Sequence, residues 1–191
     1  MRAVIQRVTS ASVTVNQTEI SRIGKGLCVL VGLGTDDTPK ELEYIVSKIL
    51  SLRLFPSPPG PNAPTTPPSN TPTDPAGDAP SSHNPDPRPP AGQVEDHEPP
   101  KEWRQSVRDI HGEVLIVSQF TLMAKTKKGN KPDFHNAMKT ESSKAMYGEL
   151  IKSIKSAYSA DLIKEGQFGA MMDVKISNDG PVTIILDTND K

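Results

Sequence analysis

Fifteen of the chain's 19 prolines fall between Ser57 and Pro100, and this clustering separates what can fold from what cannot. The same stretch holds six acidic residues against one base, Arg88, and its apolar content is a few alanines and Val94. It buries too little apolar surface to offset the entropy of ordering it. The expectation is one domain spanning 1–191, interrupted by a disordered proline-rich insertion at about 57–100. The rest of the 191 residues suffice for one proper core. Outside the insertion 21 basic residues stand against 17 acidic ones, a mildly basic balance. That suits a few phosphate contacts rather than polycation-style nucleic-acid binding. A lone cysteine, Cys28, excludes a disulfide framework. No apolar run approaches the ~20 residues of a membrane helix, and the opening Met1-Arg2-Ala3-Val4-Ile5-Gln6-Arg7 lacks a signal peptide's apolar stretch. A cytoplasmic protein with no membrane partner is expected.

The first third reads as β structure. Ala3 to Val8 alternates, Ser12-Val13-Thr14-Val15 is β-branched, and Ile20 to Ile23 is short and mixed. Leu27 to Leu33 is a continuous apolar run between glycines, as in a strand buried on both faces. Thr38 and Glu41 form a capping-box pattern with Pro39 at the first helical position. Leu42, Ile45, Val46, Ile49 and Leu50 then form a core-facing stripe. Leu52 to Phe55 reads as a short strand. Beyond the insertion, Val114 to Val117 leads as a strand into Ser118-Gln119-Phe120-Thr121-Leu122. A basic loop with Lys125, Lys127, Lys128 and Lys131 follows. A second helix is expected over about Thr140 to Tyr158, facing inward through Met146, Leu150, Ile151, Ile154 and Tyr158. The end is β again, with a turn at Asn178-Asp179-Gly180-Pro181 before Val182 to Leu186. This is a mixed α/β domain with two main helices rather than a regular βαβ alternation.

The usual catalytic sets do not emerge. The four histidines are scattered, two of them in the insertion, which argues against a zinc site. No cofactor motif is present: the pairs Gly24-Lys25-Gly26 and Gly32-Leu33-Gly34 lack the GxGxxG spacing. Cys28 lies mid-strand, as a small buried hydrophobe would. Two segments break local rules. Ser118 to Leu122 puts polar groups at the end of an apolar strand, where sites often form. A strand running out to solvent is the plainer explanation, and Thr121 has no visible base to activate it as a nucleophile. Pro181 opens an apolar β run, where it removes a ladder donor.

These two segments carry a resemblance. Ser118-Gln119-Phe120-Thr121-Leu122 and Asn178-Asp179-Gly180-Pro181-Val182-Thr183 resemble the signature segments of the D-aminoacyl-tRNA deacylases, including the D-tyrosyl-tRNA deacylases, a proofreading family. Met1 to Val8, Gly26 to Gly32, Lys131-Pro132-Asp133-Phe134 and Phe168-Gly169-Ala170-Met171-Met172 are similar too. The resemblance covers 1–56 and 101–187. It implies a β-barrel-like fold working as a homodimer on the 3′ end of aminoacylated tRNA, with no cofactor and no metal. It implies a cis Gly180-Pro181 corner that reaches the partner's Ser118, Gln119, Phe120 and Thr121 and rejects L side chains by steric exclusion. Arg7 resembles the residue that holds this corner, and Phe168 and Met172 match positions lining the terminal adenosine pocket. Backbone N–H groups near Phe120 and Thr121 would steady the oxyanion, assisted by the tRNA 2′-hydroxyl. Two other readings stay open: a nucleic-acid-binding module without turnover, and an interaction protein whose insertion offers PxxP segments such as Pro64-Thr65-Thr66-Pro67 to an aromatic-lined groove.

Overall fold

A computed structural model describes residues 1–58, 101–127 and 129–190. The expected disordered insertion at about 57–100 lies almost wholly outside these residues. Two units divide the chain, Met1–Ser57 with Glu102–Lys191 and Pro58–Lys101; the fold below is that of the first.

Strand β1 (Arg2–Val15) organises the sheet. Its far half pairs antiparallel with β2 (Thr18–Ile23), its near half with β3 (Gly26–Gly32). On its other side β6 (Asp173–Asp187) accompanies it over nearly its whole length. From β3 the sheet continues in parallel to β4 (Glu113–Ser118) and β5 (Ile163–Glu165). Helix α1 (Pro39–Ser51) lies between β3 and β4 in sequence, and α2 (Thr140–Ala157) between β4 and β5. The result is a mixed, nearly closed, barrel-like sheet with two helices.

The sequence explains the layering. In β3 and β4, Leu27, Val29, Val31, Val114 and Ile116 face the core shared with the helices. Cys28, Leu115 and Val117 point to a second core on the opposite face. These strands are buried on both faces, as their unbroken apolar runs demand. The ribbon of β1 and β6 serves both cores in turn. Ala3, Ile5, Val182 and Ile184 pack on the helical core, whereas Ala11, Val13, Val174 and Ile176 pack on the second.

Both helices form where expected. The Thr38 side chain accepts from the Lys40 backbone N–H, and Glu41 reaches back to the Thr38 N–H at 3.1 Å. On α2 the buried stripe is Tyr147, Leu150, Ile151 and Ile154. Met146 and Tyr158 pack against the same core half-buried, and Tyr147 joins them more deeply, its hydroxyl donating to the Ile116 carbonyl at 2.9 Å. Burial, then the Glu165 carboxylate, push the Tyr147 pKa upward.

Two sequence expectations are corrected. Leu52 to Phe55 is not a strand: only Phe55 pairs, in an isolated antiparallel bridge with Gln105. Asn178 to Pro181 is not a hairpin turn. β6 continues in one direction through it, because both flanking halves pair with the same strand. Val182 lies opposite Arg7 and Asn178 opposite Val8, so Asp179, Gly180 and Pro181 bulge out of the ladder.

Candidate active site

Strand β4 ends at Ser118, in register with Val31. The Gln119 N–H still donates to the Val31 carbonyl at 2.8 Å, and the chain then turns into a short 3-10 helix, Phe120–Met123. Phe120 and Thr121 are its first residues, so the turn offers their N–H groups no carbonyl. The Gln119 side-chain amide donates to the Thr121 hydroxyl. Gly32 lets the turn lie close: a Cβ there would stand 2.8 Å from the Leu122 Cβ and 3.0 Å from the Gln119 carbonyl oxygen. Arg2 secures the far end, donating from Nη1 to the Leu122 carbonyl at 2.9 Å and pairing with Asp187 at 2.7 Å. Phe120 is 59% exposed, and its ring meets Phe134 edge-on at 5.2 Å.

The Asn178-to-Pro181 bulge is held by Arg7. Its guanidinium is almost wholly buried, yet it begins on the ladder opposite Val182. Nε donates to the Asp179 carbonyl at 3.3 Å and pairs with the Asp179 carboxylate at 3.2 Å. Nη1 donates to the Leu54 carbonyl at 2.7 Å and approaches Glu102 at 3.4 Å. Gly180 has φ +118°, and its bond to Pro181 is cis. A Cβ on Gly180 would stand 3.0 Å from Val182 Cγ2 and 3.2 Å from Arg7 Nη2. The corner is therefore bare backbone with a buried cation directly behind it.

The structure brings Arg7 and Gly180-Pro181 together, and Ser118, Gln119, Phe120 and Thr121 together. It does not bring the two groups to each other within one chain. The corner occupies the Arg7 row of the sheet, and Ser118 the row of Ala3 and Val31. Four rows along and three strands across correspond to a path of roughly 20 Å along the sheet. Phe168 packs on the helical core with its ring 5.6 Å from Tyr147, while Met172 packs on the second core. Lys125, Lys127 and Lys131 are exposed; Lys128 lies outside the described residues. Lys125 and Lys127 border, with Arg2 and Asn189, a cavity of about 430 Å³ beside the turn. Next to it Asp133 accepts from the His135 backbone N–H and contacts its ring, which together hold the Asp133 carboxyl below its ordinary value. Arg2, Phe134 and Glu102 went unread in the sequence. Arg2 and Phe134 lie in segments that carry the resemblance, without a role of their own there, and nothing in the sequence marks Glu102. Cys28 is buried as expected, and burial pushes its thiol up to about 11.

A family model described as D-Tyr-tRNA(Tyr) deacylase matches residues 4–64 and 93–187. The chain is 43% identical over 188 residues to human D-aminoacyl-tRNA deacylase 1, covering 98% of this chain and 70% of that one. It is 42% identical over 193 residues to D-aminoacyl-tRNA deacylase of Yarrowia lipolytica, covering 100% of both. Among solved structures, the c-Myc DNA Unwinding Element Binding Protein superposes with a TM-score of 0.74 at 42% identity, over 98% of this chain and 99% of that one. A structure presented as a probable eukaryotic D-amino acid tRNA deacylase has a TM-score of 0.66 at 16% identity, over 97% of both chains, a likeness of fold alone.

Proposed function

Because the chain belongs to the D-aminoacyl-tRNA deacylase family, we propose that it hydrolyses the ester joining a D-amino acid to the 3′ end of tRNA, releasing both. The observation that carries this reading is the corner at Gly180: exposed backbone, braced so closely from behind by Arg7 and Val182 that a Cβ there would crowd the brace. Facing a bound ester, its carbonyls occupy the volume an L side chain needs and leave a D side chain room. Glycine, having no side chain, passes the same filter, so glycine mischarged on tRNA-Ala is a second substrate.

The filter has to meet the reacting carbonyl. In one chain a path of roughly 20 Å along the sheet separates the corner from the Phe120 turn. A second copy supplies the missing half, and three features favour it. β6 pairs on one side only among the described residues and runs 15 residues, an open template for association. Ile185 on that strand is 72% exposed. Buried Gln6 Oε1, one row from Arg7, has no hydrogen-bond partner among the described residues.

The chemistry asks little of side chains. Water attacks the ester carbonyl, the acyl carbon–3′-oxygen bond breaks, and the water proton passes to the departing oxygen. The free N–H groups of Phe120 and Thr121 stabilise the oxyanion, and the neighbouring 2′-hydroxyl of the terminal adenosine relays the proton. Phe168 and Met172 flank that adenosine, and the exposed lysines meet acceptor-stem phosphates. The enzyme works in the cytoplasm as a single deacylase domain, and its insertion serves a groove-binding partner rather than the reaction. No helix among the described residues is long and apolar enough to cross a membrane.

Gly180→Ala tests the corner. The expected result is a loss of about 10²-fold in D-ester turnover, with about 1–3 kcal/mol of stability lost to the left-handed backbone. Unchanged turnover in the folded variant would remove steric exclusion by Gly180.

A further inference from the structure

Arg7 has more partners than the corner it braces. The chain leaves the core after Phe55 and returns at Glu102, and the two stems are joined there. Phe55 and Gln105 exchange two backbone hydrogen bonds, each 3.0 Å, and the Arg104 N–H adds a third to the Phe55 carbonyl at 2.9 Å. Both stems then converge on one atom. Arg7 Nη1 takes the Leu54 carbonyl from the outgoing stem and the Glu102 carboxylate from the returning one. The other edge of the same guanidinium holds Asp179, and its Nη2 lies 3.2 Å from where a Gly180 Cβ would be.

A guanidinium is a rigid plane, so fixing Nη1 fixes where Nε and Nη2 point. The Arg7 side chain is 8% exposed, whereas Glu102 is 50% exposed, so the carboxylate reaches inward to a cation that, among the described residues, is otherwise paired with Asp179 alone. Trp103, next to Glu102, has φ +61°, an uncommon conformation for a bulky residue. The left-handed residue turns the stem immediately after the carboxylate that meets Arg7.

We propose that Glu102 is a positioning residue for substrate discrimination: through Arg7 it sets the placement of the Gly180-Pro181 corner. The stems flanking residues 58–101 are thereby part of the specificity apparatus. This rests on the reading of the corner as the chiral filter. It assigns Glu102 no contact with substrate.

The test compares Glu102→Gln and Glu102→Asp with the unaltered protein. Three quantities are measured: hydrolysis of D-Tyr-tRNA, hydrolysis of L-Tyr-tRNA, and hydrogen exchange of the buried Arg7 Nε–H that holds the Asp179 carbonyl. With a half-exposed ion pair lost, the expected change is about two- to five-fold. In Glu102→Gln, L-ester cleavage rises by that factor while the D-ester rate and the melting temperature hold. The Arg7 Nε–H exchanges faster by a similar factor, and Glu102→Asp restores both. An unchanged D-to-L ratio with unchanged Arg7 exchange overturns the proposal, as does an equal fall of both rates together with the melting temperature. If the unaltered protein fails to discriminate at all, the filter reading falls, and the Arg7 exchange alone still decides whether Glu102 holds the corner's brace.

Discussion

Arg7 shows how far a single side chain can be read. By alternation it is one more polar residue in a strand, and only the resemblance marked it as a holder of the corner. Its burial beside Asp179 became visible once β6 was laid against β1. Thr121 is the converse. Sequence offers it as a nucleophile without a base, and the fold gives its hydroxyl a structural partner in the Gln119 amide. In the proposed mechanism its backbone N–H, not its oxygen, serves the chemistry. Thr121→Ala should therefore cost about one neutral hydrogen bond, ~1 kcal/mol, and keep D-ester turnover within roughly ten-fold. Complete inactivity in single-turnover assays would return Thr121 to the role of nucleophile. Cys28 was legible outright, because its place in an unbroken apolar strand left no room for a reactive thiol.

Elements were legible where a period or a cap carried them. The α1 stripe and its capping box are both local signals, and both formed. The Thr38→Ala variant should lose about 1 kcal/mol, seen as a melting temperature lower by roughly 2–4 °C at unchanged turnover. A larger loss would mean the cap holds more than its helix. The errors share one cause. Asn-Asp-Gly-Pro is turn chemistry whether the chain reverses or merely bulges, and only pairing with β1 on both sides distinguishes them. Leu52 to Phe55 has strand composition, but its bridge partner among the described residues, Gln105, lies 50 positions later and is paired for a single rung. Tyr147 joined the inward residues of α2, where its hydroxyl meets a carbonyl on β4 that no helical period could announce.

At the scale of the molecule, the proposed mechanism divides one reaction between two corners of a sheet. The barrel-like class was inferred from family likeness, since mixed short strands do not reveal closure. The path of roughly 20 Å along the sheet between corner and turn follows from register, which sequence does not show. If a second copy joins the two halves, as proposed, light scattering at micromolar concentration should return twice the chain mass. A monomer with full turnover would require the two motifs to act without each other. The most direct measurement is hydrolysis of matched D-Tyr-tRNA and L-Tyr-tRNA by the purified full chain with EDTA present. Rapid loss of the D ester with the L ester intact is the predicted result. Equal cleavage of both esters, or of neither, would contradict chiral deacylation by the Gly180 corner.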